Sequence, residues 1–116
     1  MVLKSYAKIN LTLSVNKRLK SGLHNIQSIY CLINLYDKIF LKKNKNKRFD
    51  QVSFTGPFSK DINKSNNSVK KVLKVMRKNK IIHDYYSIKV NKKIPVFACL
   101  GGGTSNAATL LKHLTK

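Results

Sequence analysis

Leu100-Gly101-Gly102-Gly103-Thr104-Ser105-Asn106-Ala107-Ala108 is the stretch that organises this chain, and it runs into Leu110, Leu111 and Leu114 at helical spacing. Successive glycines let the backbone take positive φ values and approach a ligand closely. The helix that follows starts with unpaired N–H groups and a partial positive charge. A glycine loop opening a helix in this way cradles an anion, and Thr104 and Ser105 add hydroxyls for a phosphate oxygen or a bound Mg²⁺. A tight structural turn would need one glycine, not three followed by two hydroxyls. The loop does not follow the Walker pattern, because no Gly-Lys-Ser/Thr is present. It does not follow the dinucleotide fingerprint either, because Asn106 stands where the third glycine would be.

Upstream of the loop, Tyr86, Ile88 and Val90 alternate as a strand with Tyr86 facing inward, and Lys92, Lys93 and Pro95 connect it to the glycines. Before that strand, Asn66 and Asn67 are suited to cap a helix whose apolar residues Val69, Val72, Leu73 and Met76 fall at i, i+3, i+4 and i+7. Val52–Phe54 reads as a weak strand, and Lys42–Arg48, almost wholly Lys and Asn, as a solvated loop. His24–Leu35 is a long apolar stretch that Asp37, read as a turn residue, separates from a short strand Ile39–Leu41. From Lys8 to Val15 the alternation is strict. It predicts a half-buried strand with Ile9, Leu11, Leu13 and Val15 on the core face and Lys8, Asn10, Thr12 and Ser14 opposite, the first two free to meet a ligand.

The 116 residues carry 24 Lys plus Arg against 4 Asp plus Glu, a net charge of +20, with 42% hydrophobic residues. That length and apolar share suit one domain with one core. No apolar run is long enough to span a bilayer, so a cytoplasmic location is expected. Cys31 and Cys99 show no metal-ligand spacing and are expected as reduced, packed thiols. The charge would attract polyanions. Only three basic residues are Arg (Arg18, Arg48 and Arg77), whereas base and phosphate readers favour the Arg fork, so most of the charge reads as solvated background. His83 and His113 carry no site signal.

Ala7-Lys8-Ile9-Asn10-Leu11, Gly22-Leu23-His24-Asn25, Tyr36-Asp37 and Leu100 through Ala108, in this order and spacing, resemble the N-terminal half of the GHMP kinase family. The likeness is to the branch acting on a cytidine-diphosphate-linked methylerythritol, and it spans nearly the whole chain. The resemblance implies ATP-dependent phosphorylation of that polyol's 2-hydroxyl, in non-mevalonate isoprenoid synthesis, with ATP and Mg²⁺ as cofactors. It implies that Leu100, Gly101, Gly102, Gly103, Thr104 and Ser105 hold the ATP phosphates, with Ser105 also available to Mg²⁺. Lys8 would be catalytic, lying by the reacting hydroxyl. Asn10 and His24 would bind substrate, His24 through the cytosine, and Asn67 and Lys92 would border the adenine.

The chain also departs from this pattern. Leu23 stands where the family has an aromatic residue stacking on cytosine, and Val96, Phe97, Ala98 and Cys99 are bulkier than the small residues usual before the loop. The family's catalytic aspartate lies beyond the glycine-loop helix, past Lys116, as does the C-terminal domain that closes the cleft. Asp37, Asp50, Asp61 and Asp84 read as turn or surface residues. The expectation is therefore an N-terminal kinase domain, residues 1–116, inactive alone and completed, if at all, by a separate chain with the C-terminal half. The expected fold is α+β, with a mostly antiparallel sheet and helices on one face, and it resembles the ribosomal-S5-domain-2-like fold. Exposed apolar surface should accompany the missing wall. Two alternatives are a small basic RNA- or DNA-binding module and a non-catalytic nucleotide-binding remnant; the first lacks the usual aromatic and Arg cluster.

Overall fold

The hydrophobic spacings place most elements where they form. The computed structural model describes residues 1–116, in the order β1 (Val2–Arg18), β2 (His24–Asn44), β3 (Gln51–Thr55), α1 (Ser68–Lys78), β4 (Tyr85–Asn91) and α2 (Gly102–Leu114). A single 3-10 turn, Ser59–Asp61, follows β3. The sheet order is β1-β2-β4-β3. β1–β2 and β2–β4 are antiparallel and β3–β4 is parallel, with α1 as the crossover that a parallel pair requires. This is the expected α+β arrangement.

The core forms where β2 and β4 meet the two helices. Ile39 and Leu41 of β2, Ile88 and Val90 of β4, Val69, Leu73 and Met76 of α1, and Leu110 of α2 are all buried there with Ile82. In α1 the buried positions keep the spacing read from the sequence. Asn67 caps the helix, its Oδ1 accepting from the Lys70 N–H at 3.0 Å. Tyr86 packs half-buried against this core, and burial holds its hydroxyl above the ordinary pKa of a tyrosine.

Four expectations are corrected. First, Asp37 is not a turn: β2 runs unbroken through it for 21 residues, absorbing both the apolar stretch and the short strand, along with Lys42–Asn44 of the expected loop. Asp37 is fully buried and ion-paired with Lys92. Second, Asp50 is not free surface chemistry. Its carboxylate takes both Nη2 contacts of Arg77, at 2.8 and 3.1 Å, and the Tyr86 N–H at 2.8 Å. Third, Cys31 and Cys99 are exposed, because the segments that carry them are themselves uncovered.

The fourth correction concerns the alternating segment. It is a strand, but its register with β2 shifts between Asn10 and Thr12, leaving Leu11 as an extra, bulged residue. Lys8 and Asn10 lie opposite Leu32 and Tyr30, whereas Leu13 and Val15 lie opposite Ser28 and Ile26. Alternation along β2 is regular there, so Leu13 and Val15 come onto the same face as Lys8 and Asn10. A bulge does this by adding one residue to one strand only. Beyond Lys8 the β1–β2 pair leaves the sheet as a two-stranded ribbon without a cover. Leu13, Val15, Ile26, Ile29 and Leu32 are each 55–62% exposed.

Such a ribbon should be adhesive once charge repulsion is screened. Raising salt to about 0.5 M shortens the Debye length to roughly 4 Å. Sedimentation velocity should then show self-association, and Leu13→Ser, Ile26→Ser and Leu32→Ser together should abolish it while leaving the melting temperature nearly unchanged. A monodisperse monomer at every salt concentration would show that the ribbon does not drive association.

Candidate functional site

The last strand, β4, ends at Asn91, and the chain then passes Lys92–Ile94 and an irregular segment before Gly101 opens α2 in the left-handed region, φ 67°. No side chain caps this helix. The first intrahelical bond of the turn is from Ser105 N–H to Gly101 O, at 2.8 Å, which leaves the N–H groups of Gly102, Gly103 and Thr104 without intrahelical partners. Leu100 is held at the bend by its carbonyl, which accepts from Lys8 N–H at 3.0 Å.

Each glycine answers to a different neighbour. A Cβ at Gly101 would lie 3.0 Å from Lys8 Cε, one at Gly102 would lie 2.9 Å from Ile94 Cγ2, and one at Gly103 would lie 3.3 Å from Ser68 Oγ. The glycine run therefore lets β1, the Lys92–Ile94 segment and the start of α1 all close on one helical turn. Because Ser68 is the first residue of α1, the N-termini of both helices converge here, and their partial positive charges add. That is an electrostatic setting for an anion.

Two hollows flank this turn. A cleft of about 460 Å³ is lined by Lys92, by Pro95 through Thr104 and by Ile62. On the other side, a hollow of about 250 Å³ is lined by Tyr6, Lys8, Tyr30, Gly101 and Thr104 among others. Gly101 and Thr104 belong to both. The Lys8 ammonium lies over the ring of Tyr30, 5.4 Å from its centroid. The structure thus brings Lys8 together with Leu100, Gly101, Gly102, Gly103 and Thr104.

The remaining sequence candidates fare differently. Asn10 is exposed next to this hollow and accepts from Ser28 Oγ at 3.1 Å. His24 pairs with Arg18 at the far end of the ribbon, roughly 25–30 Å of extended strand from Lys8, so it is not gathered with the loop. Leu23 is exposed at the same tip. Asn67 sits at the start of α1 beside the turn, with its carboxamide engaged in capping. Lys92 lies under Gly102, its ammonium taken by Asp37.

Ser105 is engaged by its own neighbours. Its hydroxyl donates to Tyr6 O at 2.7 Å and accepts from Ser5 Oγ at 2.9 Å, stitching α2 to β1. No group of three or more His, Cys, Asp or Glu side chains is placed to hold a metal ion. The exposed hydroxyl at the helix start is that of Thr104. Sequence reasoning missed Asp37 and Ser5 as parts of this region; the Tyr36-Asp37 pair was the one available signal.

No family model matches the chain. Curated relatives do, all carrying the same name, 4-diphosphocytidyl-2-C-methyl-D-erythritol kinase. The protein from Pelagibacter ubique is 44% identical over 110 residues, covering 94% of this chain and 38% of the relative. That from Finegoldia magna is 36% identical over 114 residues, covering 98% and 40%, and that from Ureaplasma parvum 38% identical over 116 residues, covering 98% and 43%. A crystal structure of 4-(cytidine 5'-diphospho)-2C-methyl-D-erythritol kinase superposes with a TM-score of 0.70 at 27% identity, covering 98% of this chain and 39% of that one. The chain thus spans about two-fifths of the length of the proteins it matches. By sequence and by fold it is a relative of the 4-diphosphocytidyl-2-C-methyl-D-erythritol kinases and corresponds to their N-terminal domain.

Proposed function

We propose that this chain is the phosphate-holding half of an ATP-dependent kinase that phosphorylates the 2-hydroxyl of 4-(cytidine 5'-diphospho)-2-C-methyl-D-erythritol, in cytoplasmic isoprenoid synthesis by the non-mevalonate route. The observation that carries this reading is the packing of Lys8 on Gly101, which sets one cation beside two converging helix N-termini. The unpaired N–H groups of Gly102, Gly103 and Thr104 suit the terminal phosphates of ATP. Lys8, in the adjoining hollow, suits the charge that develops as the phosphoryl group passes to the acceptor hydroxyl. Asn10 lies on the same side for the acceptor. Mg²⁺ would enter with the nucleotide, since the residues here form no metal set of their own.

A base is the part these residues do not supply. Asp37 is held by Lys92, Asp50 by Arg77 and Asp84 by Lys43, and Asp61 lies in the 3-10 turn. None of the four lines the Lys8 hollow. Turnover would thus need a carboxylate from a further segment or a separate chain, the remaining three-fifths by length of its relatives.

Two experiments test the reading. ADP or ATP with Mg²⁺ should protect the Gly101–Ser105 region from proteolysis. Protection by RNA instead, with steep salt dependence, would favour a nucleic-acid module. The 116 residues alone should show no phosphorylation of the cytidine diphosphate substrate above a Lys8→Ala control. With a partner supplying the second half, Lys8→Ala should cost on the order of 100-fold or more in kcat, as loss of a group stabilising transition-state charge does.

The loop residues before the glycines offer a second handle. Phe97 and Cys99 hold φ values of 61° and 56°, a conformation costing about 1–2 kcal/mol for each side-chain-bearing residue. Cys99→Gly relieves that strain and should tighten ADP binding several-fold by calorimetric titration. Unchanged affinity would show that the segment already holds its binding form.

A further inference from the structure

Asp37 uses both carboxylate oxygens on the approach to the glycine turn. Oδ2 accepts from the Lys92 ammonium, and Oδ1 accepts from the backbone N–H groups of Lys93 at 2.7 Å and Ile94 at 2.9 Å. Asp37 is fully buried and Lys92 is 2% exposed. The same three residues, Lys92 through Ile94, are the last firmly held point before the irregular Pro95–Leu100 segment. They also form the floor of the first turn of α2. A Cβ at Gly102 would meet Ile94 Cγ2 at 2.9 Å and Lys92 Nζ at 3.3 Å.

The other side of the turn is tied to the same level of the sheet. Ser5 is the register partner of Asp37 on β1, and its hydroxyl donates to Ser105 Oγ, which donates to Tyr6 O. Between these two anchors the only further backbone tie is Lys8 N–H to Leu100 O. The entry to the turn is thus held by one carboxylate, together with the Lys92 N–H that donates to Thr55 O at 2.7 Å, and the exit by one serine pair. A carboxylate suits the entry because it can accept from three donors at once while neutralising a buried ammonium, which a neutral side chain cannot do.

We propose that Asp37 is a positioning residue for the phosphate site: by gripping the two backbone N–H groups of Lys93 and Ile94, it fixes the height at which Gly102–Thr104 present their own N–H groups. This rests on reading the glycine turn as a phosphate site. The role is separable from general fold stability, because the backbone grip needs only an acceptor at Oδ1, whereas the charge is needed only while Lys92 is charged. Asp37→Asn with Lys92→Met keeps the acceptor and removes both charges. Asp37→Leu with Lys92→Met removes the acceptor as well, without stranding an ion.

The test compares these two double variants in the 116-residue chain, each checked for folding by circular dichroism and thermal melting. ADP and adenosine affinities are measured by titration, and amide hydrogen exchange at Lys8 and Ser105 is followed without ligand. Because both variants carry Lys92→Met in the lining of the cleft, the Asn/Met variant is the reference for ligand affinity, and its Lys8 and Ser105 amides should exchange within about 3-fold of the wild type. The Leu/Met variant should bind ADP at least about 10-fold more weakly with adenosine affinity unchanged, and its Lys8 and Ser105 amides should exchange at least about 10-fold faster. Should Leu/Met fold poorly, Asp37→Ala with Lys92→Met takes its place. Equal exchange and equal ADP affinity in the two folded variants would overturn the proposal. If the wild type binds no ADP, the phosphate reading fails on its own, and the exchange rates still decide whether Asp37 sets the turn.

Discussion

The buried Asp37–Lys92 pair is the constraint on which the rest of the molecule depends. Two charges removed from water cost several kcal/mol each, and the cost is recovered only where geometry and further hydrogen bonds are good. Here Asp37 satisfies that condition with two backbone N–H groups in addition to the ammonium. Removing one member of such a pair costs about 3–5 kcal/mol, a large part of the roughly 5–15 kcal/mol that holds a small domain folded. The pair joins the middle of β2 to the segment after β4, positions 55 residues apart in sequence. The glycine turn is therefore placed by the sheet and not by its own local preferences.

From that anchor the glycine run acquires its meaning. Close approach of Ile94 from below leaves no room for a side chain at Gly102, while side-chain atoms of Lys8 from β1 and Ser68 from α1 crowd Gly101 and Gly103. The same crowding brings two helix N-termini together, so packing and electrostatics share one cause. Close packing of three neighbours and a helix start with free N–H groups are thus two consequences of a single arrangement, whereas the sequence argument weighed a phosphate cradle only against a tight turn.

Local signals carried the helices and the short strands because their causes are local. Val69, Leu73 and Met76 repeat at helical spacing, Asn67 caps its own helix, and Ile88 and Val90 alternate over a core. What escaped had distant causes. A charged residue in an apolar run reads as a break unless its counter-ion is known, and Lys92 lies far along the chain. The bulge at Leu11 is a mismatch between two strands, invisible in either alone, so perfect alternation from Lys8 to Val15 misassigned half of a face. The structural part of Ser105 also escaped, because nothing local showed that Ser5 and the Tyr6 carbonyl would engage its hydroxyl. That Lys8 meets the glycine loop was legible from resemblance, whereas the residues that support this meeting were not.

The distribution of the few acids explains the character of what remains. Of four aspartates, three neutralise a particular basic side chain, Lys92, Arg77 or Lys43, and none faces the Lys8 hollow. Around the turn the lining side chains therefore bring one ammonium and several hydroxyls beside an apolar wall, with no carboxylate among them. The uncovered apolar ribbon projects from this pocket, carrying Tyr30 and Leu32 directly onto its wall. Lys8 stands where the two meet, at the base of the ribbon and in the wall of the pocket, so the charge beside the glycine turn and the apolar surface of the ribbon share one strand.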